Sequence, residues 1–238
     1  MIEVKHLTKK YNTVLAADHV DLVANNGEIT ILLGPNGAGK STTIKSIANL
    51  LKFQGKIYIE GYPNDSTEAK VSFGYIPDTP VLYDLLTIDE HVKFIASAYK
   101  IENYEEIANH YITLFDLETK RKAIAKELSK GMRQKVSMLL ALLIQPKALL
   151  VDEPMVGLDP ASIEETLELF QHLKQEGCAI LISTHIIDVI DPIWDEAYIM
   201  DHGKIVKHVS RSTLKDTTLK QLFFDNTSEE VKHDEITY

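Results

Sequence analysis

The sequence predicts an α/β fold: a mostly parallel sheet covered by helices on both faces, with a helical segment inserted between two of its strands. Three observations carry this. The runs "ITILLG", "ALLVDE" and "AILIST" are short, almost wholly apolar and end in polar loops, as strands buried on both faces do. A glycine-rich loop joins the first of them directly to a helical run. Between about Thr87 and Pro146 the texture turns helical, and the strand pattern resumes at Ala148.

In chain order, "IEV", "HVDLVA", "EITILLG" and "KIYIEG" read as strands on one edge of a sheet, Ile57 and Ile59 following a period of two. Thr87 and Glu90 have the spacing of a capping box ahead of "HVKFIASAYK", and "NYEEIANHYITLF" continues the helical segment. After Ser129, the residues Met132, Val136, Leu139, Leu140 and Leu143 recur at helical spacing. Ile163, Leu167, Phe170 and Leu173 form one face of a later helix that stops before Gly177, and "AYIMDHGKIVKHV" reads as a hairpin turning at His202 and Gly203. The expected organisation is one unit over residues 1–224, with its helical subdomain at about 85–146, and an acidic, frayed tail over 225–238.

Composition narrows the function classes. With 238 residues, 45% of them hydrophobic, the chain is long enough to bury a substantial core. A formal charge of -10 argues against a nucleic-acid backbone as main partner, since phosphate backbones are bound by basic faces. The single cysteine, Cys178, allows no intrachain disulfide, and "MIEVKHLTKKY" lacks the apolar stretch of a secretory signal, so a cytosolic home is expected. The most apolar segment, Val136 to Val151, is broken by Gln145, Pro146 and Lys147, so the chain is not expected to cross a membrane by itself.

The chemistry is concentrated in a few motifs. "GPNGAGKST" places Gly34, Pro35, Asn36, Gly37, Ala38, Gly39, Lys40, Ser41 and Thr42 between an apolar strand and a helix. Glycines let backbone N–H groups turn inward around phosphate oxygens, and the helix N-terminus adds its positive end. Lys40 then reaches the outer phosphates and Ser41 offers a hydroxyl to Mg²⁺. "ALLVDEP" ends a strand with Asp152 and Glu153 at the carboxyl edge of the sheet, where α/β proteins bind ligands. One carboxylate there can hold a metal and its neighbour can orient a hydrolytic water, although a strand that simply runs into a solvated acidic loop has the same sequence. His185 follows "AILIST" at the same edge, where an imidazole can meet a γ-phosphate oxygen or the attacking water; most of the nine histidines are surface residues, and their scatter gives no zinc-ligand spacing.

Taken in order, the phosphate loop, "GYIPD", "LSKGM", "LLVDEP", "GLD" and "STH" resemble the ATP-binding subunit of ABC transporters, over nearly all of Met1 to about Lys207. "LSKGM" is the specific element, the others being shared with many phosphate-loop ATPases. The resemblance implies a P-loop NTPase core with an antiparallel β subdomain and a helical subdomain. It implies ATP and Mg²⁺ as cofactors, Tyr11 as the aromatic that stacks on adenine, Ser129 and Gly131 as signature residues, Asp159 as the acid of the loop crossing between subunits, and His185 as the switch histidine. For Tyr11 an ordinary strand tyrosine, and for Ser129 a plain helix N-cap, remain open readings of the residues themselves. The family also implies a second ABC ATPase copy, the same chain or a different one, packed head to tail, so that Ser129 and Gly131 of one copy meet the γ-phosphate held by the other, and separate transmembrane permease subunits that keep the protein at the cytoplasmic face of the cell membrane.

Two departures stand out. Lys130, Gly131 and Met132 stand where the family usually has two glycines and a glutamine, which adds a positive charge beside the anion site. Asp78 stands where it usually has the glutamine that senses Mg²⁺, and a carboxylate near Asp152 and Glu153 crowds negative charge. The expected function is ATP hydrolysis that powers transport; the alternative is a soluble ABC-type switch in an assembly or translation-related complex.

Overall fold

Two sheets, drawn from different parts of the chain, lie on either side of the helix that follows the phosphate loop. The computed structural model describes residues 1–214 and 217–227. Along the chain the elements are β1 (Ile2–Tyr11), β2 (Val14–Ala24), β3 (Ile29–Leu33), α1 (Lys40–Ile47), β4 (Gln54–Ile59), β5 (Tyr62–Pro63), α2 (Thr67–Lys70), β6 (Phe73–Ile76) and α3 (Ile88–Tyr99). They continue as α4 (Tyr104–Leu114), α5 (Lys130–Leu142), β7 (Ala148–Asp152), α6 (Pro160–Gln175), β8 (Ala179–Thr184), α7 (Ile187–Ile190), β9 (Glu196–Asp201), β10 (Lys204–Ser210) and α8 (Leu219–Asn226). The acidic-tail expectation falls almost wholly on residues 228–238, outside the described part of the chain.

The larger sheet has the order β10-β9-β3-β8-β7-β6; β9, β3, β8, β7 and β6 are parallel, and β10 pairs antiparallel with β9. In β3, β7 and β8 every residue is buried, which explains their unbroken apolar character. Alternate side chains serve two cores. Ile29, Ile31, Leu149, Val151, Ile180 and Ile182 face the helical segment and α6, while Leu32, Leu150 and Leu181 face α1 and the second sheet.

The second sheet, β2-β1-β4-β5, is antiparallel and corrects the expectation that the opening strands share one edge with "EITILLG". Period-two patterning identifies strands but not the sheet they join. β3 has both faces apolar and needs cover on both, so it sits mid-sheet; β1, β2 and β4 have one buried face and pack as a separate layer over α1.

Helices α3 to α5 all enter between β6 and β7. The capping box forms as expected, with Glu90 N–H donating to Thr87 Oγ1 at 3.2 Å and Thr87 N–H to Glu90 Oε2 at 2.8 Å. The β9–β10 hairpin turns at His202 and Gly203, with φ of 44° and 83°, the left-handed pair that a two-residue hairpin requires. β6 is an edge strand of four residues, too short to stand out in the sequence, and α5 lies close against it. A Cβ on Gly74 would meet the Ala141 carbonyl oxygen at 2.6 Å and Leu149 Cδ1 at 3.0 Å. Gly74→Ala is therefore expected to cost about 1–3 kcal/mol by overpacking and to lower the midpoint of thermal unfolding by about 2–10 °C; an unchanged midpoint would contradict this close approach.

Candidate active site

Because β8 lies between β3 and β7 and all three are parallel, their carboxyl ends bring the phosphate loop, His185, Asp152 and Glu153 to one edge. The loop is wedged there. Gly34 and Pro35 are buried, and a Cβ on Gly34 would lie 2.3 Å from the Met200 carbonyl oxygen; one on Gly39, whose φ is 108°, would lie 2.1 Å from that of Ala16. Only glycine fits either place. Asn36 and Gly37 (φ 84°) form the exposed rim, and Ala38 N–H donates to the Pro35 carbonyl at 3.1 Å, closing the turn. No side chain caps α1 at Gly39, which leaves backbone N–H groups of its first turn to face an anion.

Lys40 is buried, and its ammonium donates to the carbonyls of Gly34 at 2.7 Å and Pro35 at 3.2 Å, with Glu153 Oε1 at 3.5 Å. The arrangement places a positive charge under the loop. Glu153 has a left-handed backbone, φ 48°, held by its N–H donating to the Ser183 carbonyl at 3.0 Å. Strain of this kind in a non-glycine residue collects where geometry serves function. It turns the carboxylate toward His185, whose Nδ1 donates to Glu153 Oε1 at 2.9 Å.

Asp152 is fully buried and accepts from the hydroxyls of Ser41, at 2.9 Å, and Ser183, at 2.5 Å, both on Oδ1. Its Oδ2 is buried with no hydrogen-bond partner. Burial pushes the Asp152 carboxyl above the usual carboxylate range; the two serine hydroxyls oppose this, the charge of Asp78 adds to it and that of Lys45 opposes it. Asp78 lines the same cleft from the loop after β6, 3.8 Å from Lys45 Nζ. Sequence reasoning missed Ser183 and Lys45. Ser183 pairs directly with Asp152 once β7 and β8 are in register, and Lys45 lies one helical turn beyond Ser41.

The cleft has a volume of about 260 Å³ and is lined by Asn36, Gly37, Gly39 to Thr42, Asp78, Glu153 and His185. A larger one, of about 850 Å³, opens between α4 and the end of α6. It includes Lys147 and Cys178, which precede β7 and β8, so it lies at the amino edge of the sheet, away from the phosphate loop.

Four expected site residues lie apart from the cleft and from the loop and buried acid that back it. Tyr11 ends β1 with an exposed ring, the ammonium of Lys9 4.8 Å from its centroid. Ser129 caps α5, accepting from Met132 N–H at 3.2 Å. Asp159 caps α6, accepting from Ser162 N–H at 3.0 Å and from its hydroxyl at 2.7 Å, and these bonds hold its carboxyl below its usual value. Gly131 adjoins the Asp159 loop: a Cβ on it would stand 3.2 Å from the Gly157 carbonyl oxygen, and the stem of Lys130 lies over Gly157. Ser129, Gly131 and Asp159 thus belong to a second cluster.

A parallel sheet, a phosphate loop and paired acids at its carboxyl edge define a phosphate-loop ATPase. The ABC transporter family profile matches residues 17–156. The chain is 34% identical over 245 aligned residues to the ABC-type transporter ATP-binding protein EcsA of Bacillus subtilis (strain 168), covering 98% of this chain and 99% of that protein. A solved ATP-binding subunit of an ABC transporter superposes with a TM-score of 0.88 at 35% identity, over 94% of this chain and 98% of that one. A dimeric ATP-binding cassette in a post-hydrolysis state, bound to ADP and phosphate, gives a TM-score of 0.80 at 26% identity, over 88% and 98%. This chain belongs to the ABC transporter family, and within it to the ATP-binding, ATP-hydrolysing subunits.

The raised Asp152 pKa has a consequence for stability. A carboxyl that holds its proton more tightly when folded favours folding at low pH and loses that contribution as pH rises through its folded pKa. Without ligand, Asp152→Asn is therefore expected to melt at a higher temperature than the parent near pH 7, with the gap closing as pH falls into the acid range. Melting curves across pH check this; a variant that melts lower at neutral pH would contradict it.

Proposed function

We propose that this chain is the engine of a membrane transporter, working as a head-to-tail pair in which each copy completes the other's nucleotide site, with residues 1–224 forming the ATPase unit and about 85–146 its helical subdomain. The observation that carries this is the division of the site. Lys40, Ser41, Asp152, Glu153 and His185 converge on one cleft, while Ser129, Gly131 and Asp159 gather elsewhere around the starts of α5 and α6. The cleft is also small, below the about 300–1,000 Å³ typical of ligand pockets, as befits half a site. The similarity to a dimeric cassette bound to ADP and phosphate supports the same reading.

In this reading the loop amides from Gly37 to Thr42 and the ammonium of Lys40 hold the phosphates of ATP, and Tyr11 stacks on adenine. The site fits Mg²⁺: a serine hydroxyl, a buried carboxylate with one oxygen unpartnered, and the nearby Asp78 are hard oxygen donors. Ser41, Asp152 and Asp78 would hold the ion, which supplies neutralisation of phosphoryl charge. Glu153 orients the attacking water and accepts its proton, and His185 fixes that carboxylate through Nδ1 while presenting its outer edge to the γ-phosphate. The partner's Ser129 and Gly131 would add the amide and hydroxyl donors of a helix N-terminus to the open side of the phosphate.

No helix among the described residues is long and apolar enough to cross a membrane. The loop after Asp78 nevertheless exposes Val81, Tyr83 and Leu85, next to Phe94 on α3. An apolar patch of this kind suits the separate transmembrane subunits, which would hold the chain at the cytoplasmic face.

Glu153→Gln is expected to retain ATP binding and to lower turnover about a hundredfold or more, as loss of a general base does; equal rates of phosphate release would remove Glu153 from the mechanism. Lys40→Ala and Ser129→Arg are each expected to be nearly inactive, yet an equal mixture with free exchange should recover about a quarter of the parent activity, because half the pairs then contain one intact site. No recovery despite demonstrated exchange would count against the shared site.

A further inference from the structure

Asp78 crowds a cleft that already holds Asp152 and Glu153, and the structure shows what balances it. Lys45 lies on α1 one turn beyond Ser41, so that both side chains rise from one face of the helix. Its ammonium stands 3.8 Å from Asp78 Oδ1; both side chains are part-exposed, and that of Asp78 lines the cleft. The other cation at the site, Lys40, is turned under the loop against the Gly34 and Pro35 carbonyls, with Glu153 Oε1 at 3.5 Å. The fields of Asp78 and Lys45 act on the Asp152 carboxyl in opposite directions. The pair also bridges two parts of the fold: α1, which begins at the phosphate loop, and the loop from Pro77 that carries the exposed Val81, Tyr83 and Leu85.

We propose that Lys45 is the resident counter-cation of Asp78, and that a divalent metal entering beside Ser41 and Asp152 takes Asp78 from it. This rests on the nucleotide-site reading above and assigns a positioning role to a lysine that no phosphate contact requires. Without metal, the ammonium holds Asp78 and the start of its loop against α1. With metal, Asp78 exchanges one cation for another, and the start of the loop that faces the membrane partner shifts along α1 from Lys45 toward Ser41 as the site is loaded. Lys45 thus makes the cleft less hungry for metal than three carboxylates would otherwise be, and ties metal occupancy to the position of the loop.

The test is a binding measurement that needs no turnover. Mn²⁺ is titrated, by loss of its free electron-paramagnetic-resonance signal, into the parent protein, Lys45→Met, Asp78→Asn and the double variant, each saturated with a non-hydrolysable ATP analogue. Removing a part-exposed charge partner is expected to tighten Mn²⁺ binding about two- to fivefold in Lys45→Met. Asp78→Asn should weaken it, and in that background Lys45→Met should gain clearly less. Hydrogen exchange over residues 77–86 of the metal-free protein should be faster in Lys45→Met than in the parent. Unchanged or weaker Mn²⁺ binding by Lys45→Met overturns the proposal. So does an equal gain with and without the Asp78 carboxylate, which would make Lys45 a general field rather than the counter-cation of Asp78. Lys45→Gln, which keeps a polar helix-compatible side chain, repeats the measurement should Lys45→Met fold poorly. Lys40→Ala separates the two readings: it should lose binding of the analogue, and if it binds like the parent the nucleotide site itself is misassigned and this inference falls with it.

Discussion

Turning several backbone N–H groups toward one point is possible only if the chain adopts left-handed turns in a slot too tight for side chains, and the rest of the structure is arranged around that requirement. Gly34 backs onto the Met200 carbonyl of β9 and Gly39 onto the Ala16 carbonyl of β2, so the phosphate loop is clamped between the parallel sheet and the antiparallel one. The two sheets in turn share a core through α1, the helix that the loop begins. Holding the loop and holding the two layers together are one packing problem, in which Ile44 and Ile47 are as necessary as the glycines.

Charge follows from that placement. Burial at the carboxyl ends of β3, β7 and β8 puts Lys40, Asp152 and Glu153 where solvent screens them little, so each is held by specific partners: carbonyls for the ammonium, two serine hydroxyls for Asp152, and His185 for Glu153. What remains unpaired is informative. One oxygen of Asp152 and the uncapped start of α1 are the groups that a metal and a phosphate would satisfy. The starts of α5 and α6 form a second, mutually packed unit around Gly131 and Gly157, away from that cleft.

Much of this was legible in the sequence, for a physical reason: a phosphate loop, a capping box and a strand running into two acids are local patterns, and local backbone geometry is what spacing encodes. The thoroughly apolar character of β3, β7 and β8 likewise announced cover on both faces. Long-range partnership was not legible. Period-two patterning could not say that β1, β2 and β4 leave the parallel sheet, because the alternation of a one-faced strand is the same in either layer. The Ser183 hydroxyl on Asp152 depends on the register of β7 against β8, and the Lys45–Asp78 pair on where the loop after β6 returns across α1. The left-handed φ of Glu153, which aims its carboxylate at His185, has no composition signal, since that conformation is imposed by the hydrogen bond to Ser183 rather than chosen by the residue.

The central claim is that one copy holds only half of a working site. It is tested most directly by measuring the rate of ATP hydrolysis per copy across a dilution series, with the mass of the species followed in the same samples. The account predicts a rate per copy that rises with the fraction of paired molecules and approaches zero where the protein is wholly monomeric. A rate that stays at its full value in a strictly monomeric sample, with no membrane subunit present, would contradict it.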